Sequence, residues 1–287
     1  MWSKRIVEWE MGGTLYLSVP FTWLLGEAEM RAKKHKGRVV AGGPAVALMG
    51  APWADETPAT TPFDVLSMHN PLATFTTRGC PNSCGFCAVP RIEGGFRELA
   101  DWKPAPIVCD NNLLACSKAH FRKVIESLLP FPSADFNQGL EAARFTSWHA
   151  EEIARLNKPM VRFALDRDSQ EGPVHAALDR ARKAGLTRFG IYVLVGYTDT
   201  PENAVARLET VRGWDIRPYA MRYQPLDAER KNSYVAPGWS EYELGRTLQY
   251  YNRLRWHEHI PFDRFDRRAT IPGQERLFEE AVTADDD

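Results

Sequence analysis

The chain has 287 residues, 44% of them hydrophobic and 25% charged, with a formal net charge of −1. A chain of that size and composition buries a substantial core in one large domain or two modest ones, and its charge balance gives no argument for nucleic acid or a membrane surface as partner. No apolar run approaches the roughly 20 residues of a membrane span, and the opening MWSKRIVEWEMGG lacks the apolar stretch of a secretory signal. The expected setting is therefore cytoplasmic and reducing, where clustered cysteines are metal ligands more often than disulfides.

Residues 14–50 predict strand, helix, strand: TLYLSVPF, TWLLGEAEMRAKKHKG and RVVAGGPAV. Residues 51–66 carry three prolines and little periodicity, and read as a linker. From residue 72 short apolar runs recur, namely LATFTTRG, APIVCDNN, SADFNQGL, PMVRFALD, RFGIYVLVG and RPYAMRYQPL. Helices separate most of them. Phe121, Val124, Ile125 and Leu128 repeat at i, i+3, i+4 and i+7, as do Val174, Ala177, Leu178 and Ala181, with Gly185 as a C′ stop. Thr200-Pro201 opens a further helix that Gly213 closes. The fold class is α/β: six parallel strands, open or curled into a six-stranded partial (βα)6 barrel, with a short N-terminal α/β extension and a C-terminal helix. The divisions are 1–66 for the extension and linker, 67–233 for the core and 234–287 for the tail.

In that tail Ser240 to Glu243 form a capping box that opens a helix through about residue 256. Basic runs at 31–38 and 264–268, near Trp256 and Phe265, offer a phosphate-binding rim with stacking aromatics, although solvated helix faces are the commoner use of such runs. His257 and His259, at i and i+2, do not share a helix face and suggest no metal site.

The chain has five cysteines, three of them within eight residues of TTRGCPNSCGFCAVPRIEGG. Cys80, Cys84 and Cys87 have the spacing C-x₃-C-x₂-C. A structural zinc site takes four ligands, usually as two separated pairs, and a plain electron-transfer cluster takes four cysteines. Three thiolates leave one coordination position open. Pro81 and Gly85 suit a tight loop around such a group.

This spacing resembles that of the radical S-adenosylmethionine (radical SAM) superfamily. The likeness covers about residues 70–226 and includes Arg78-Gly79 before the motif, the aromatic Phe86 before the last cysteine, and the six βα units. The resemblance implies that Cys80, Cys84 and Cys87 ligate a [4Fe–4S] cluster whose fourth iron is chelated by S-adenosyl-L-methionine. Reductive cleavage of the S–C5′ bond then yields a 5′-deoxyadenosyl radical that takes hydrogen from substrate. An external electron donor, flavodoxin- or ferredoxin-like, is the implied partner.

By the rule that barrel ligands lie at the C-terminal strand ends, the cofactor-binding candidates, with Phe86, are Asp110 and Asn111 after the second strand, Asn137 and Gln138 after the third, Asp166 and Arg167 after the fourth, and Val195 and Gly196 on the fifth. Asp110 and Asn111 stand where the family touches the methionine amino group, though without its Gly-Gly-Glu form; Asn112 equally well caps the next turn. Val195 and Gly196 match the family's adenine-binding strand. Arg222 and Tyr223 on the sixth strand are candidates to hold an anionic substrate and donate hydrogen. Cys109 is a candidate hydrogen donor, with a buried small hydrophobe as the plainer reading.

The N-terminal fragment resembles a shortened form of the domain that precedes cobalamin-binding and methylthiotransferase cores. D-x-H-x-x-G is absent, so no cobalamin is expected, and no cysteine precedes Cys80 to hold a methylthiotransferase's second cluster. The expected substrate is a modified nucleotide or nucleic-acid base, rearranged or functionalised. A peptide or amino-acid metabolite is the alternative substrate, and a zinc-binding or electron-transfer module the alternative of another class.

Overall fold

The structure is a computed structural model describing residues 4–58, 63–252 and 260–267. It begins with a hairpin absent from the sequence reading: β1 (Val7–Met11) and β2 (Thr14–Ser18) pair antiparallel across Gly12-Gly13. After α1 (Leu25–Lys34), β3 (Arg38–Gly42) returns parallel to β2. The expected strand through residue 46 stops early, because Gly43 and Pro44 open α2 (Pro44–Met49). Leu17, Val39 and Ala41 alternate onto the helix side and form a small core with Val19, Ala28 and Val46. On the other face Trp9 stacks on Tyr16 at 5.2 Å, with Phe63 edge-on to both. At the end of the linker begins α3 (Val65–His69), whose N-terminus is capped by Asp64 accepting from the Ser67 amide at 3.1 Å.

Each of the six apolar runs contains a strand, shorter than the run. In chain order these are β4 (Ala73–Thr74), β5 (Thr77–Arg78), α4 (Val89–Ile92), β6 (Arg97–Glu98), β7 (Ile107–Val108), α5 (Lys118–Leu128), β8 (Asp135–Phe136) and α6 (Ser147–Ala154). They continue with β9 (Val161–Ala164), α7 (Glu171–Lys183), β10 (Phe189–Val195), α8 (Pro201–Gly213), β11 (Pro218–Arg222) and α9 (Glu241–Asn252). β5 and β6 form a small antiparallel pair.

The parallel strands form two sheets rather than the continuous six-stranded sheet expected, in the orders β4-β7-β8 and β11-β10-β9, and no barrel closes among the described residues. Between β8 and β9 only one bridge forms, Asp135 with Met160, reinforced by Leu140 donating to the Arg162 carbonyl at 2.7 Å. Gly139, at φ 89°, turns the chain away directly after β8, and Pro159 lacks the N–H needed to extend the ladder before β9.

The larger core lies between these strands and helices α5 to α9. Phe121, Val124, Ile125 and Leu128 of α5 are all buried in it, as are Val174, Ala177, Leu178 and Ala181 of α7, in agreement with their spacing. The capping box at Ser240 and Glu243 is present, with the Ser240 amide donating to Glu243 at 2.8 Å and the Glu243 amide to Ser240 at 3.1 Å. The far end of that predicted helix, with Trp256, His257 and His259, lies outside the described residues, as does Arg268. Asn252 at the end of α9 closes the free edge of β11: its amide exchanges two 2.8 Å hydrogen bonds with the Ala220 backbone. No helix among the described residues is long and apolar enough to cross a membrane.

The N-terminal unit touches both ends of this strand series. Ser18 Oγ lies 2.9 Å from His69 Nε2, just before β4, α2 packs on α4, and Thr22 donates its hydroxyl to the Ala228 carbonyl, beyond β11, at 2.6 Å.

Candidate functional site

Cys80, Cys84 and Cys87 lie on the loop between β5 and α4, all free and half-buried. Three features shape the loop. Gly79 enters it at φ 73°, and a Cβ there would stand 2.2 Å from the Gly95 carbonyl oxygen. Glu93, just after α4, accepts from Arg78 Nη2 at 2.8 Å, the Gly79 amide at 2.8 Å and Asn111 Nδ2 at 2.9 Å. Asp110 accepts from the Thr76 amide at 2.6 Å and the Thr77 amide at 3.0 Å, as well as from the Thr76 hydroxyl. Burial pushes the Asp110 carboxyl up, with those hydrogen bonds opposing the shift.

The cysteine Sγ atoms have polar company. The Asn82 amide donates to Cys80 Sγ at 3.4 Å, and Asn112 Nδ2 does so at 3.5 Å while also donating to Glu141 at 2.7 Å. Asn112 Oδ1 is buried with no hydrogen-bond partner among the described residues. Burial pushes the Cys84 thiol up, and the nearby Arg167 guanidinium pulls it back down; Asp166 and Glu141 also face it. Burial likewise raises Cys87. At the tip, a Cβ on Gly85 would lie 2.7 Å from the Tyr197 hydroxyl, and the Phe86 and Tyr197 rings meet edge-on at 5.6 Å.

Among the described residues no three His, Cys, Asp or Glu side chains converge as a metal-holding group. The fit to an iron–sulfur cluster is one of donor chemistry. Three free thiols share one tight loop, N–H groups aim at Cys80 sulfur as they do at cluster sulfurs, and an unpartnered amide oxygen is buried beside them.

The strand-end candidates separate into two groups. Phe86 lies on the cysteine loop and Asp166 and Arg167 stand beside it; Arg167 is exposed and Asp166 accepts from the Leu194 amide at 3.0 Å, burial raising its carboxyl. Asn137, just after β8, donates its amide to the Val108 carbonyl at 3.0 Å. The remainder, Gln138 apart, have partners or places in the fold itself. Asp110 and Asn111 hold the loop from behind instead of presenting free polar groups. Gln138 is exposed and makes no hydrogen bond among the described residues. Val195 points into the core with no exposure. The Gly196 amide donates to Asp199 at 2.9 Å in the turn that presents Tyr197. Arg222 is bound to Glu241 at 3.0 and 2.7 Å and to the Tyr234 carbonyl at 2.7 Å, so it ties β11 to α9, while its buried Nε has no partner among the described residues. The Cys109 thiol is 1% exposed and pushed up to about 12 by burial, which suits the small-hydrophobe reading.

Four residues stand at the site without having been singled out: Glu93, Glu141, Tyr197 and Asp199. Tyr197 directly follows Gly196, so the strand-end rule applied one residue further finds it. Asp199 shapes its turn, accepting from Gly196 and from Arg207, whose side chain is buried and also donates to the Leu194 carbonyl at 3.1 Å. Nothing in the sequence marks Glu93 or Glu141, whose roles come from partners brought close by the fold.

The face of β9 and β10 away from the buried apolar positions carries polar and aromatic side chains. Arg162 donates to both oxygens of Asp135 at 2.7 Å, and its guanidinium lies 5.8 Å from the centre of the Tyr192 ring. The Tyr192 hydroxyl donates to the Asn137 carbonyl at 2.9 Å.

Comparison of the chain with protein-family models, with curated proteins and with solved structures found no match.

Proposed function

We propose that the protein is a radical SAM enzyme acting on a modified nucleotide or nucleic-acid base in a cytoplasmic setting, with an external flavodoxin- or ferredoxin-like electron donor. The observation that carries this reading is the placement of a three-thiol C-x₃-C-x₂-C loop beside the ends of parallel strands, facing Arg167, Asp166, Glu141 and Tyr197. On this reading the two three-stranded sheets are the halves of one open, six-stranded partial barrel.

Cys80, Cys84 and Cys87 would hold a [4Fe–4S] cluster, and the cluster with S-adenosylmethionine supplies reductive cleavage of the S–C5′ bond. The chain's own residues bind and orient. Arg167, exposed and near Cys84, is placed to meet a carboxylate. Asn112 Oδ1 and the Glu141 carboxylate offer acceptors for an ammonium group, because a buried acceptor without a partner gains most from a charged donor. Glu93 and Asp110 fix the loop from behind. Tyr197 and Tyr223 wall the site on the β10–β11 side.

The test is release of 5′-deoxyadenosine from reconstituted, reduced protein supplied with S-adenosylmethionine. Slow release without substrate, and none from Cys84→Ala, is the expected result. Reversible redox chemistry without cleavage over a range of strong reductants would overturn the enzyme reading in favour of an electron carrier.

A further inference from the structure

Aromatic rings run in contact from the cysteine loop outward. Phe86 meets Tyr197 at 5.6 Å, Tyr197 meets Tyr223 at 4.7 Å, and Tyr223 meets Tyr234 at 5.4 Å. The next segment outward, residues 224–234, is gripped at Ala228 by Thr22 of the N-terminal unit. Thr22 is flanked by Phe21 and Trp23, whose rings stack at 4.6 Å and 6° and remain half-exposed. The hydroxyls of Tyr197, Tyr223 and Tyr234 make no hydrogen bond among the described residues. A wall of half-open rings with unused hydroxyls offers stacking faces together with donors and acceptors for a polar edge.

Charge is balanced along the same surface. Arg230 and Lys231 on the exposed loop are offset by Asp227 and Glu229. The basic run at 31–38 is largely paired within the N-terminal unit, Arg31 with Glu8 and Glu27, Lys33 with Glu29 and Arg38 with Glu56. Lys34 and Lys36 stay exposed without an ion pair among the described residues, so the phosphate-binding rim suggested by the sequence keeps only two of its five Lys and Arg charges unpaired at that run.

From this we infer that the N-terminal unit forms the outer wall of the substrate site, and that the site selects a planar heteroaromatic ring by stacking against Phe21, Trp23 and Tyr223, with phosphate contributing little. The inference rests on the proposed nucleotide or base substrate and narrows it to recognition through the base. Nothing in the stacking itself requires the cluster, so binding and cleavage can be measured apart.

The experiment is equilibrium binding of guanosine, guanosine 5′-monophosphate, a ten-nucleotide single strand and a control tripeptide. S-adenosylmethionine is kept saturating so that the nucleosides do not report on a cofactor site. Guanosine and its monophosphate should bind within about threefold of each other, and affinity should change less than about twofold between 50 and 300 mM salt, because counterion release is small when few phosphates are neutralised. Trp23→Leu should weaken guanosine about tenfold, in the range of one lost base–aromatic stack. Tyr223→Phe keeps the ring and should cost a few-fold through the lost hydroxyl. Arg230→Gln with Lys231→Gln, on an exposed loop that a folded variant tolerates, should leave guanosine binding unchanged. Equal affinity in wild type and Trp23→Leu would overturn the inference, and so would binding confined to the oligonucleotide with a steep salt dependence, or to the peptide. Nucleoside binding without 5′-deoxyadenosine release removes the proposed reaction and leaves this inference standing. Release without nucleoside binding does the reverse.

Discussion

The two faces of β9, β10 and β11 carry opposite chemistry on the same backbone. On the helix side Phe163, Ile191, Val193 and Val195 have no exposure and Ala220 has 2%. On the other side the alternating positions include Arg162, Asp166, Tyr192, Tyr219 and Tyr223 among the smaller or apolar Ala164, Gly190, Leu194 and Met221, with Tyr219 50% and Met221 43% exposed. Parallel sheets normally bury both faces and read as continuous apolar runs. One face left half-open, polar and aromatic, and topped by three thiols, is the arrangement of strands that support a ligand as well as a core. The helix-side face fixes the fold, and the opposite face is less constrained by packing.

A charge swap across the two faces is the hardest test of that division. Val193→Asp would bury a carboxylate with no partner and is expected to abolish folding, because an isolated buried charge costs more than the ~5–15 kcal/mol stability of a whole domain can spare. Met221→Asp, on the opposite face of the adjacent strand, should move stability by less than about 1 kcal/mol. Circular dichroism and urea unfolding of the two variants decide it, and similar losses in both would erase the contrast.

Where the two faces meet, at the strand ends, a buried ion pair does the joining. Arg207 pairs with Asp199 and holds the turn carrying Tyr197, so Arg207→Gln removes the cation from the Asp199 carboxylate and leaves it only the neutral donors of Gly196, Tyr197 and Trp239; the loss should be about 3 kcal/mol in urea unfolding. Glu93→Gln should cost less, about 1.5–3 kcal/mol, through weakened charged hydrogen bonds to Arg78, Gly79 and Asn111. That substitution should also lower iron retention after reconstitution, since it loosens the cysteine loop. A cost with unchanged iron retention would make Glu93 a fold residue alone.

An effect confined to alkaline pH separates Cys109 from the three loop cysteines. Its thiol is held near 12, as is that of Cys116, in both cases first by burial, so each stays protonated in the fold while the unfolded thiol ionises near 8.5. The unfolded state therefore binds fewer protons above that value, and stability falls as pH rises from about 8.5 toward 12. Cys109→Ala should flatten the alkaline arm of a stability–pH curve. Rapid alkylation of Cys109 in native protein at pH 8 would contradict its burial.

How much of this was legible in the sequence varies by the range of the interactions involved. Helices α5, α7 and α8 were readable because one apolar stripe and one cap decide each of them locally. The β1–β2 hairpin is not among the sequence expectations, because the exposed, acidic VEWEM has no apolar run to mark a strand and is held by its pairing with β2. The roles of the polar strand-end residues were not readable either. Asp110 and Asp166 are alike in sequence, and the difference lies in Thr76 and Thr77, which donate to Asp110 across 34 and 33 residues; Arg222 gives no local sign of Glu241, 19 residues on. Motif spacing marks which atoms share a loop; only the fold shows which polar groups are already spent on holding it.

The most direct measurement of the central claim is the iron and acid-labile sulfide content of anaerobically reconstituted protein, compared with Cys80→Ala, Cys84→Ala, Cys87→Ala and Cys116→Ala. The account predicts about four irons and four sulfides per chain, the complement of one [4Fe–4S] unit, with the brown chromophore lost in each of the first three variants and kept in Cys116→Ala. A colourless protein holding a single zinc with its cysteines intact, or iron binding indifferent to Cys80, Cys84 and Cys87, would contradict it.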